Sequence, residues 1–138
     1  MSSSFHLAIP AGDLKKAEAF YTNILGCKTG NREDGKWVDI DFWGNELTLH
    51  QTSMKLPRER HNVDMGNVTV PHFGVHLDAK TFKNLKQRLI DKNIKFIDPP
   101  YIRFKGEDIE QETMFLADPN GNCMEIKTMK NPNTLFKK

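Results

Sequence analysis

Two stretches of helical period divide the chain into similar halves. In the first, apolar residues recur at three- and four-residue steps: Leu14, Ala17, Phe20, Tyr21, Ile24 and Leu25. In the second, the same spacing is found at Phe82, Leu85, Leu89 and Ile90. Such spacing is typical of one buried stripe along an amphipathic helix. Asp13 and Asp78 are predicted N-caps, and the helices are predicted to end at Gly26 and at Lys92-Asn93.

Short segments that alternate or are rich in β-branched residues surround both predicted helices and indicate strands. In the first half they are Phe5–Pro10, Cys27–Thr29, Trp37–Trp43 and Glu46–Thr52. In the second half they are Val68–Leu77, Ile94–Ile97, Tyr101–Phe104, Thr113–Ala117 and Asn122–Thr128. Turn residues separate them, notably at Arg32–Gly35, Gly44-Asn45, Pro99-Pro100 and Asp118–Gly121.

The order of elements is the same in both halves, which predicts one βαβββ unit written twice. FHLAIP and PHFGVH place His6 and His72 at matching positions, and Gly44-Asn45 corresponds to Gly121-Asn122. We therefore predict an α+β protein made of one domain, 1–138, with modules at about 5–53 and 68–129. The polar and charged segment 54–67 is predicted to be a connecting loop.

Composition narrows the functional classes. The 138 residues suffice for a real core, and 38% of them are hydrophobic. A formal net charge of +2 with both signs interspersed gives no reason to expect nucleic acid or a membrane surface as a partner. Two cysteines and the absence of a long apolar run indicate a reducing, cytoplasmic location.

The segment TVPHFGVHLD carries two histidines four residues apart. Its β-branched residues, with Pro71 and Gly74, favour a strand over a helix. On a strand the Cα atoms of His72 and His76 are about 13 Å apart, too far to hold one ion comfortably. At most one of them is a ligand of a given metal, so further ligands must come from elsewhere.

Each strand that opens or closes a module carries a candidate ligand. The opening strands offer His6 and His72, and the closing strands offer Glu46 or His50 in the first module and Glu125 in the second. Imidazole and carboxylate donors suit a divalent first-row ion. The alternative is that the histidines are ordinary strand residues and that Glu125 faces solvent.

The motifs resemble those of the vicinal oxygen chelate superfamily, which includes glyoxalase I, extradiol dioxygenases and bleomycin resistance proteins. FHLAIPAGDLKKAEAFYTNILG is similar to the family's opening segment, and FLADPNGNCMEIK to its closing Asp-Pro-x-Gly-x-x-x-Glu. The resemblance spans roughly residues 5 to 129. It implies two βαβββ modules whose mixed sheets form a cup around one divalent ion, which is Fe, Mn, Ni or Zn.

Three metal ligands carry over from the resemblance: His6, His72 and Glu125. For the remaining ligand we favour His50 over Glu46, because Glu46 directly follows the hairpin turn and is expected to lie at the rim. Without His50 the set would be two histidines and a carboxylate, an arrangement that non-haem iron oxygenases use.

The resemblance implies an enzyme that binds a small substrate through two neighbouring oxygens, either a glyoxalase-like lyase or isomerase or an extradiol-like dioxygenase. The Asn-Trp-Gly that follows the second ligand in glyoxalase I is replaced here by His50-Gln51-Thr52. The alternative is a metal-free sequestering protein of the bleomycin resistance type. Family members often pair, so a homodimer is expected.

Two further residues are candidates for the chemistry itself. His76 is either a general base or a packed histidine with no chemical part. Arg103 is the first candidate for an anion clamp, ahead of Lys105, Arg58 and Arg60, although surface charge also explains these residues. The RFKGED stretch around Arg103 is predicted to be a loop on the substrate side.

Overall fold

The computed structural model describes residues 3–63 and 66–137. The chain divides into two compact units, Met1–Pro57 with Asp118–Asn122, and Arg58–Ala117 with Cys123–Lys138. Within the described residues no helix has the length and apolarity that crossing a membrane requires.

The first unit contains a four-stranded mixed sheet and one helical segment. Its elements are β1 (His6–Gly12), α1 (Leu14–Ala19), a π-helical turn (Phe20–Ile24), β2 (Lys28–Glu33), β3 (Trp37–Phe42) and β4 (Asn45–Gln51). The strand order is β1-β4-β3-β2. The opening strand β1 runs parallel to the closing strand β4, and the other pairs are antiparallel.

The second unit repeats this arrangement after a two-stranded ribbon. Its elements are β5 (Glu59–Val63), β6 (Gly66–Val70), β7 (His72–His76), α2 (Ala79–Asp91), β8 (Asp98–Arg103), β9 (Gln111–Ala117), β10 (Cys123–Met129) and a 3₁₀ turn (Pro132–Thr134). The sheet order is β7-β10-β9-β8, and β7 runs parallel to β10. The predicted α+β fold of two βαβββ units is therefore confirmed.

Both helices begin at the predicted caps. The Asp13 carboxylate accepts a hydrogen bond from the Lys16 amide, and the Asp78 carboxylate accepts one from the Thr81 amide. These bonds satisfy amides of the first turn that have no partner within the helix. Most of the predicted apolar stripe is buried in each unit: Leu14, Ala17, Phe20, Tyr21 and Leu25 in the first and Phe82, Leu85 and Leu89 in the second. Ile24 is only partly buried, and Ile90 is exposed, contrary to the prediction.

The strands bury alternate residues against the helices. In β3 the residues Val38, Ile40 and Phe42 are buried, whereas the intervening positions are more exposed. The strands β9 and β10 are buried on both faces over most of their length. A carboxylate on β10 is therefore removed from water whichever face it occupies, and this applies to Glu125.

The predicted loop 54–67 is wrong over much of its length. Glu59–Val63 and Gly66–Val70 pair as an antiparallel ribbon, while Asp64 and Met65 lie outside the described residues. The predicted strand 68–77 is divided at Pro71, which has no amide hydrogen for a strand ladder. The polar composition suggested a loop, but β5 is exposed at every residue, and a strand so exposed tolerates polar side chains.

The strand predicted at 94–97 begins later, at Asp98, and runs through Pro99 and Pro100. The strand β8 lies at the edge of its sheet, where a residue without an amide hydrogen is tolerated. The register between β8 and β9 shifts between Asp98 and Tyr101, at the two prolines. The prolines therefore create an irregularity in the strand and do not end it.

Gly74 is the point of closest approach between β7 and β10. It lies opposite Glu125, and a Cβ added at Gly74 would overlap the Glu125 carbonyl, with the carbonyl carbon only 2.7 Å away. Both partners are backbone, so a side chain at position 74 would push the two strands apart.

We predict that Gly74→Ala lowers the free energy of unfolding by about 3 kcal/mol or more, because the strands must separate. Gly30→Ala is the matched control, since the nearest atom to its Cβ would be the Asp39 Cβ, at an ordinary contact distance of 3.4 Å. We expect this control to change stability by less than about 1 kcal/mol. Urea denaturation measures both variants, and equal losses would contradict the proposed backbone clash.

Candidate functional site

The polar site of the second unit lies where β7 and β10 run side by side. Alternate residues of a strand share a face, so Cys123, Glu125 and Lys127 project from the same side of β10. The register pairs Glu125 with Gly74 and Lys127 with His76. The parallel pairing thus brings His72 and His76 to the carboxylate and the ammonium of β10.

Glu125 is a buried carboxylate with three polar neighbours. Its side chain is only 9% exposed. The Thr113 hydroxyl donates a hydrogen bond to Oε2 at 2.7 Å, and Nε2 of His72 lies 3.3 Å from Oε1. The Lys127 ammonium lies 3.7 Å from Oε2. A carboxylate so far removed from water needs such compensation.

These neighbours keep Glu125 ionised. Burial alone would raise its pKa, but the hydrogen bonds from His72 and Thr113 and the charge of Lys127 outweigh burial and lower the pKa to about 2. Glu125 is therefore a carboxylate at neutral pH, able to accept hydrogen bonds or to bind a cation.

The His72 ring is oriented by the backbone. Its Nδ1 lies against the carbonyl oxygen of Thr69. A carbonyl only accepts hydrogen bonds, so Nδ1 carries the proton and Nε2 is the nitrogen directed at Glu125. The hydrogen bond to Glu125 raises the pKa of His72, against the opposing effect of burial.

A cavity of about 280 Å³ opens at this site. It is lined by His72, Phe73, Gly74, Val75, His76, Glu125 and Lys127. Burial, followed by the positive charge of Lys127, lowers the pKa of His76. His76 is therefore uncharged at neutral pH and has a nitrogen free of a proton, as a general base requires.

The first unit has its own histidine and carboxylate pair, with a different geometry. His6 lies opposite Glu46, and its Nδ1 is 2.6 Å from the Glu46 Oε1. Both side chains are more than half exposed. A carboxylate oxygen only accepts hydrogen bonds, so Nδ1 of His6 carries the proton and Nε2 of His6 is the nitrogen with the free lone pair.

The position in β4 that corresponds to Glu125 is occupied by Thr48. Ala8 lies opposite Thr48 in the first unit, as Gly74 lies opposite Glu125 in the second. The Thr48 hydroxyl donates a hydrogen bond to Asp39 at 2.6 Å. Glu46 and His50 therefore correspond to Cys123 and Lys127, on either side of the expected ligand position.

The structure does not bring His50 to His6. His50 lies opposite Pro10, four residues along the strand from His6, which is about 13 Å. Arg103 lies on β8, two strands from the one that carries Glu125, and its guanidinium stacks on the Phe104 ring at 4.8 Å. The ligand role of His50 and the clamp role of Arg103 stay predictions.

The chemistry and spacing of His72 and Glu125 fit a divalent ion. Two donors that each lie about 2.0–2.2 Å from a tetrahedral ion are about 3.3–3.6 Å apart. The 3.3 Å between Nε2 and Oε1 agrees with this separation, whereas the 2.6 Å of the His6–Glu46 pair does not. Within residues 3–63 and 66–137 no three His, Cys, Asp or Glu side chains are grouped to hold an ion.

Three contributors to this site were missed by sequence reasoning. Thr113 and the Thr69 carbonyl carry no motif, since their roles arise from strands that pair across the sheet. Lys127 carries no motif either and is not among the predicted site residues. A signal for Lys127 was present, because it is two positions from Glu125 on one strand and must share its face.

Comparisons with known proteins agree on the family. A model of the Glyoxalase/Bleomycin resistance protein/Dioxygenase superfamily matches residues 4–126. A crystal structure of a glyoxalase/bleomycin resistance protein/dioxygenase from Alicyclobacillus acidocaldarius is 34% identical, covers 98% of this chain and 97% of that chain, and has a TM-score of 0.80.

Two more distant structures show a likeness in fold alone. Lactoylglutathione lyase from Agrobacterium tumefaciens is 21% identical over 93% of this chain and 94% of that chain, with a TM-score of 0.64. TioX from Micromonospora sp. ML1 is 13% identical over 93% and 99%, with a TM-score of 0.66. Comparison with curated proteins gives no significant match.

We predict that Glu125 makes folding acid-sensitive. Its pKa of about 2 in the folded protein is below the ordinary 4.5, so its contribution to stability is present above about pH 4.5 and is lost as the pH falls towards 2. Urea unfolding at pH 2 to 6 should show a shallower pH dependence for Glu125→Gln, and an intermediate one for Thr113→Val. Identical pH profiles for wild type and Glu125→Gln would contradict this account.

Proposed function

The chain belongs to the glyoxalase/bleomycin resistance protein/dioxygenase superfamily, and on this premise we propose that it is a divalent-metal-dependent enzyme acting on a small substrate with two neighbouring oxygens. Members of this superfamily usually bind divalent metals and act on small molecules. One observation carries the proposal: Nε2 of His72 and Oε1 of Glu125 lie 3.3 Å apart beside an open cavity.

His72 and Glu125 would hold the ion, which is Fe, Mn, Ni or Zn. The sequence resemblance adds His6 as a third ligand, and the close contact of its Nδ1 with Glu46 supports this by leaving Nε2 available. In metalloproteins a carboxylate often orients a ligating histidine in this way. Glu46 is thus proposed as the partner of a ligand. The ion would supply Lewis acidity to the oxygens of a bound substrate.

The side chains around the cavity have separate proposed roles. His76, uncharged at neutral pH, would accept a proton from the substrate. Thr113 would keep Glu125 ionised and oriented through the hydrogen bond to Oε2. Arg103 is proposed, from its charge and its place on β8, to contact an anionic part of a larger substrate.

Within this superfamily we favour the dioxygenase-like class over the glyoxalase-like lyase or isomerase. Thr48 occupies the position in the first unit that corresponds to Glu125. A neutral hydroxyl that already donates to Asp39 is a poor substitute for a carboxylate ligand. The remaining set of two histidines and one carboxylate suits non-haem iron chemistry.

A metal-free binding protein of the bleomycin resistance type is the second candidate. The Lys127 ammonium, 3.7 Å from Glu125, already places a positive charge beside the carboxylate. This charge opposes the binding of a cation and favours the binding of an anion, as a sequestering protein could use. Metal analysis of protein purified without chelator separates the two candidates.

We predict that wild-type protein binds Mn(II), Ni(II) or Zn(II) at one equivalent and that its melting temperature then rises, because the ion binds only the folded state. His72→Ala and Glu125→Gln should each weaken binding at least about tenfold, or 1.4 kcal/mol, by removing one ligand. Isothermal titration calorimetry measures the affinities. His61→Ala is the matched control, because His61 lies on the ribbon and is exposed.

If no metal binds the wild type, or if His61→Ala weakens binding as much as His72→Ala does, the metal-dependent proposal fails. The metal-free candidate then stands.

The contribution of the first unit is tested with three further variants. We expect His6→Ala to weaken metal binding at least about tenfold, and Glu46→Ala to weaken it about tenfold by releasing the ring of His6. Calorimetry on His50→Ala decides the remaining ligand. If His50→Ala lost as much metal affinity as His6→Ala, His50 would be retained as a ligand. An unchanged metal affinity would exclude His50. An unchanged affinity for His6→Ala would remove the first unit from the site.

A further inference from the structure

Lys127 has an ammonium group that is largely removed from water yet lacks a close acceptor. Its side chain is 25% exposed and lines the 280 Å³ cavity. The nearest carboxylate oxygen, Oε2 of Glu125, is 3.7 Å away, which is beyond hydrogen-bonding distance. Among residues 3–63 and 66–137 no hydrogen bond from this ammonium is found.

A second lysine of the same unit provides a standard for comparison. Lys86 is similarly enclosed, with 29% of its side chain exposed, and its ammonium donates a hydrogen bond to Glu112 at 2.7 Å. Lys86 therefore has the close partner that an enclosed ammonium requires. Lys127 has the enclosure without that partner.

Glu125 forms an ion pair with Lys127 at 3.7 Å but accepts no hydrogen bond from its ammonium. The hydroxyl of Thr113 is 2.7 Å from Oε2 and the imidazole of His72 is 3.3 Å from Oε1, so both carboxylate oxygens have nearer partners than Lys127. In addition, His76, which lies opposite Lys127, is uncharged at neutral pH. The donors of the ammonium are therefore available to a ligand in the cavity.

We propose that Lys127 binds the carboxylate of the ligand, so that the substrate class is small 2-hydroxy or 2-oxo carboxylic acids. That the ligand has two neighbouring oxygens rests on the proposed function. That it carries a negative charge is inferred from Lys127. The cavity of about 280 Å³ is just below the range of about 300–1,000 Å³ typical of drug-sized ligands, which favours a small acid. A single ammonium is a compact point charge, sufficient for one carboxylate group.

Glycolate and glycolamide test this proposal on metal-free protein. Both probes carry a hydroxyl next to a carbonyl oxygen, and only glycolate is charged. Titration followed by two-dimensional amide NMR gives both dissociation constants. We expect wild type to bind glycolate at least tenfold more tightly than glycolamide, with shifts at residues 72–76 and 123–127.

The variants separate charge from shape. Lys127→Met should remove the preference for glycolate, because it keeps the length of the side chain without the charge. Lys127→Arg should keep most of that preference. Lys86→Met is the matched control and should bind both probes as wild type does. Equal affinities of wild type for the two probes, or a preference that persists in Lys127→Met, would overturn the proposal.

Metal titration of the same variants distinguishes this inference from the function on which it rests. Loss of the nearby positive charge should leave the metal affinity of Lys127→Met equal to that of wild type or several-fold higher. If Lys127→Met instead lost both metal and probe binding, Lys127 would be a structural residue and the inference would be wrong. If wild type bound glycolate selectively but took up no metal, the proposed enzyme would fail, while the binding of a carboxylate by Lys127 would stand.

Discussion

Parallel pairing of the first and last strands in each unit is the constraint on which the candidate site depends. The backbone ladders between β1 and β4 and between β7 and β10 place residues side by side that are far apart along the chain. In the first unit this pairing sets His6 against Glu46, and in the second it brings His72 to Glu125. Close approach of the strands at Gly74 is part of the same constraint, because any larger residue would displace the backbone of Glu125.

The chemistry of the second unit follows from the burial of the Glu125 carboxylate where β7 pairs with β10. Removal from water is unfavourable for the charged form of Glu125, so the surrounding groups must supply hydrogen bonds and positive charge. Thr113, His72 and Lys127 do so from three strands. Two of them also face the cavity: His72 presents Nε2, and Lys127 places an ammonium there.

The two units share a scaffold and differ in what it carries. At the position of Glu125 the first unit has Thr48, with Asp39 as the partner of its hydroxyl. At the position of Lys127 it has His50. Both His6 and His72 direct Nδ1 to an oxygen acceptor, a carboxylate in one case and a backbone carbonyl in the other. The two units therefore share the orientation of the histidine but differ at the position of Glu125, which is a threonine in the first unit.

The sequence alone determined the order of helices and strands that recurs in both units. It also determined the strand face on which each candidate residue lies. The Asp13 and Asp78 caps, the buried stripes and the alternation in β3 depend on near neighbours, whose spacing is fixed by the chain itself. The family motifs added the fold and named His6, His72 and Glu125. The correspondence of Thr48 with Glu125 can also be found in the sequence, because each residue lies three positions after the Asn of its Gly-Asn turn.

Tertiary structure alone decided which of these residues meet. A period of two assigns residues to a face but does not say how far one strand slides along another, and the register is set by a hydrogen-bond ladder between distant segments. That ladder placed Glu46 beside His6 and left His50 about 13 Å along the sheet. The same reason explains the ribbon of β5 and β6 and the two prolines of β8. Pairing at an exposed or edge position permits these strands, although the local sequence argues against them.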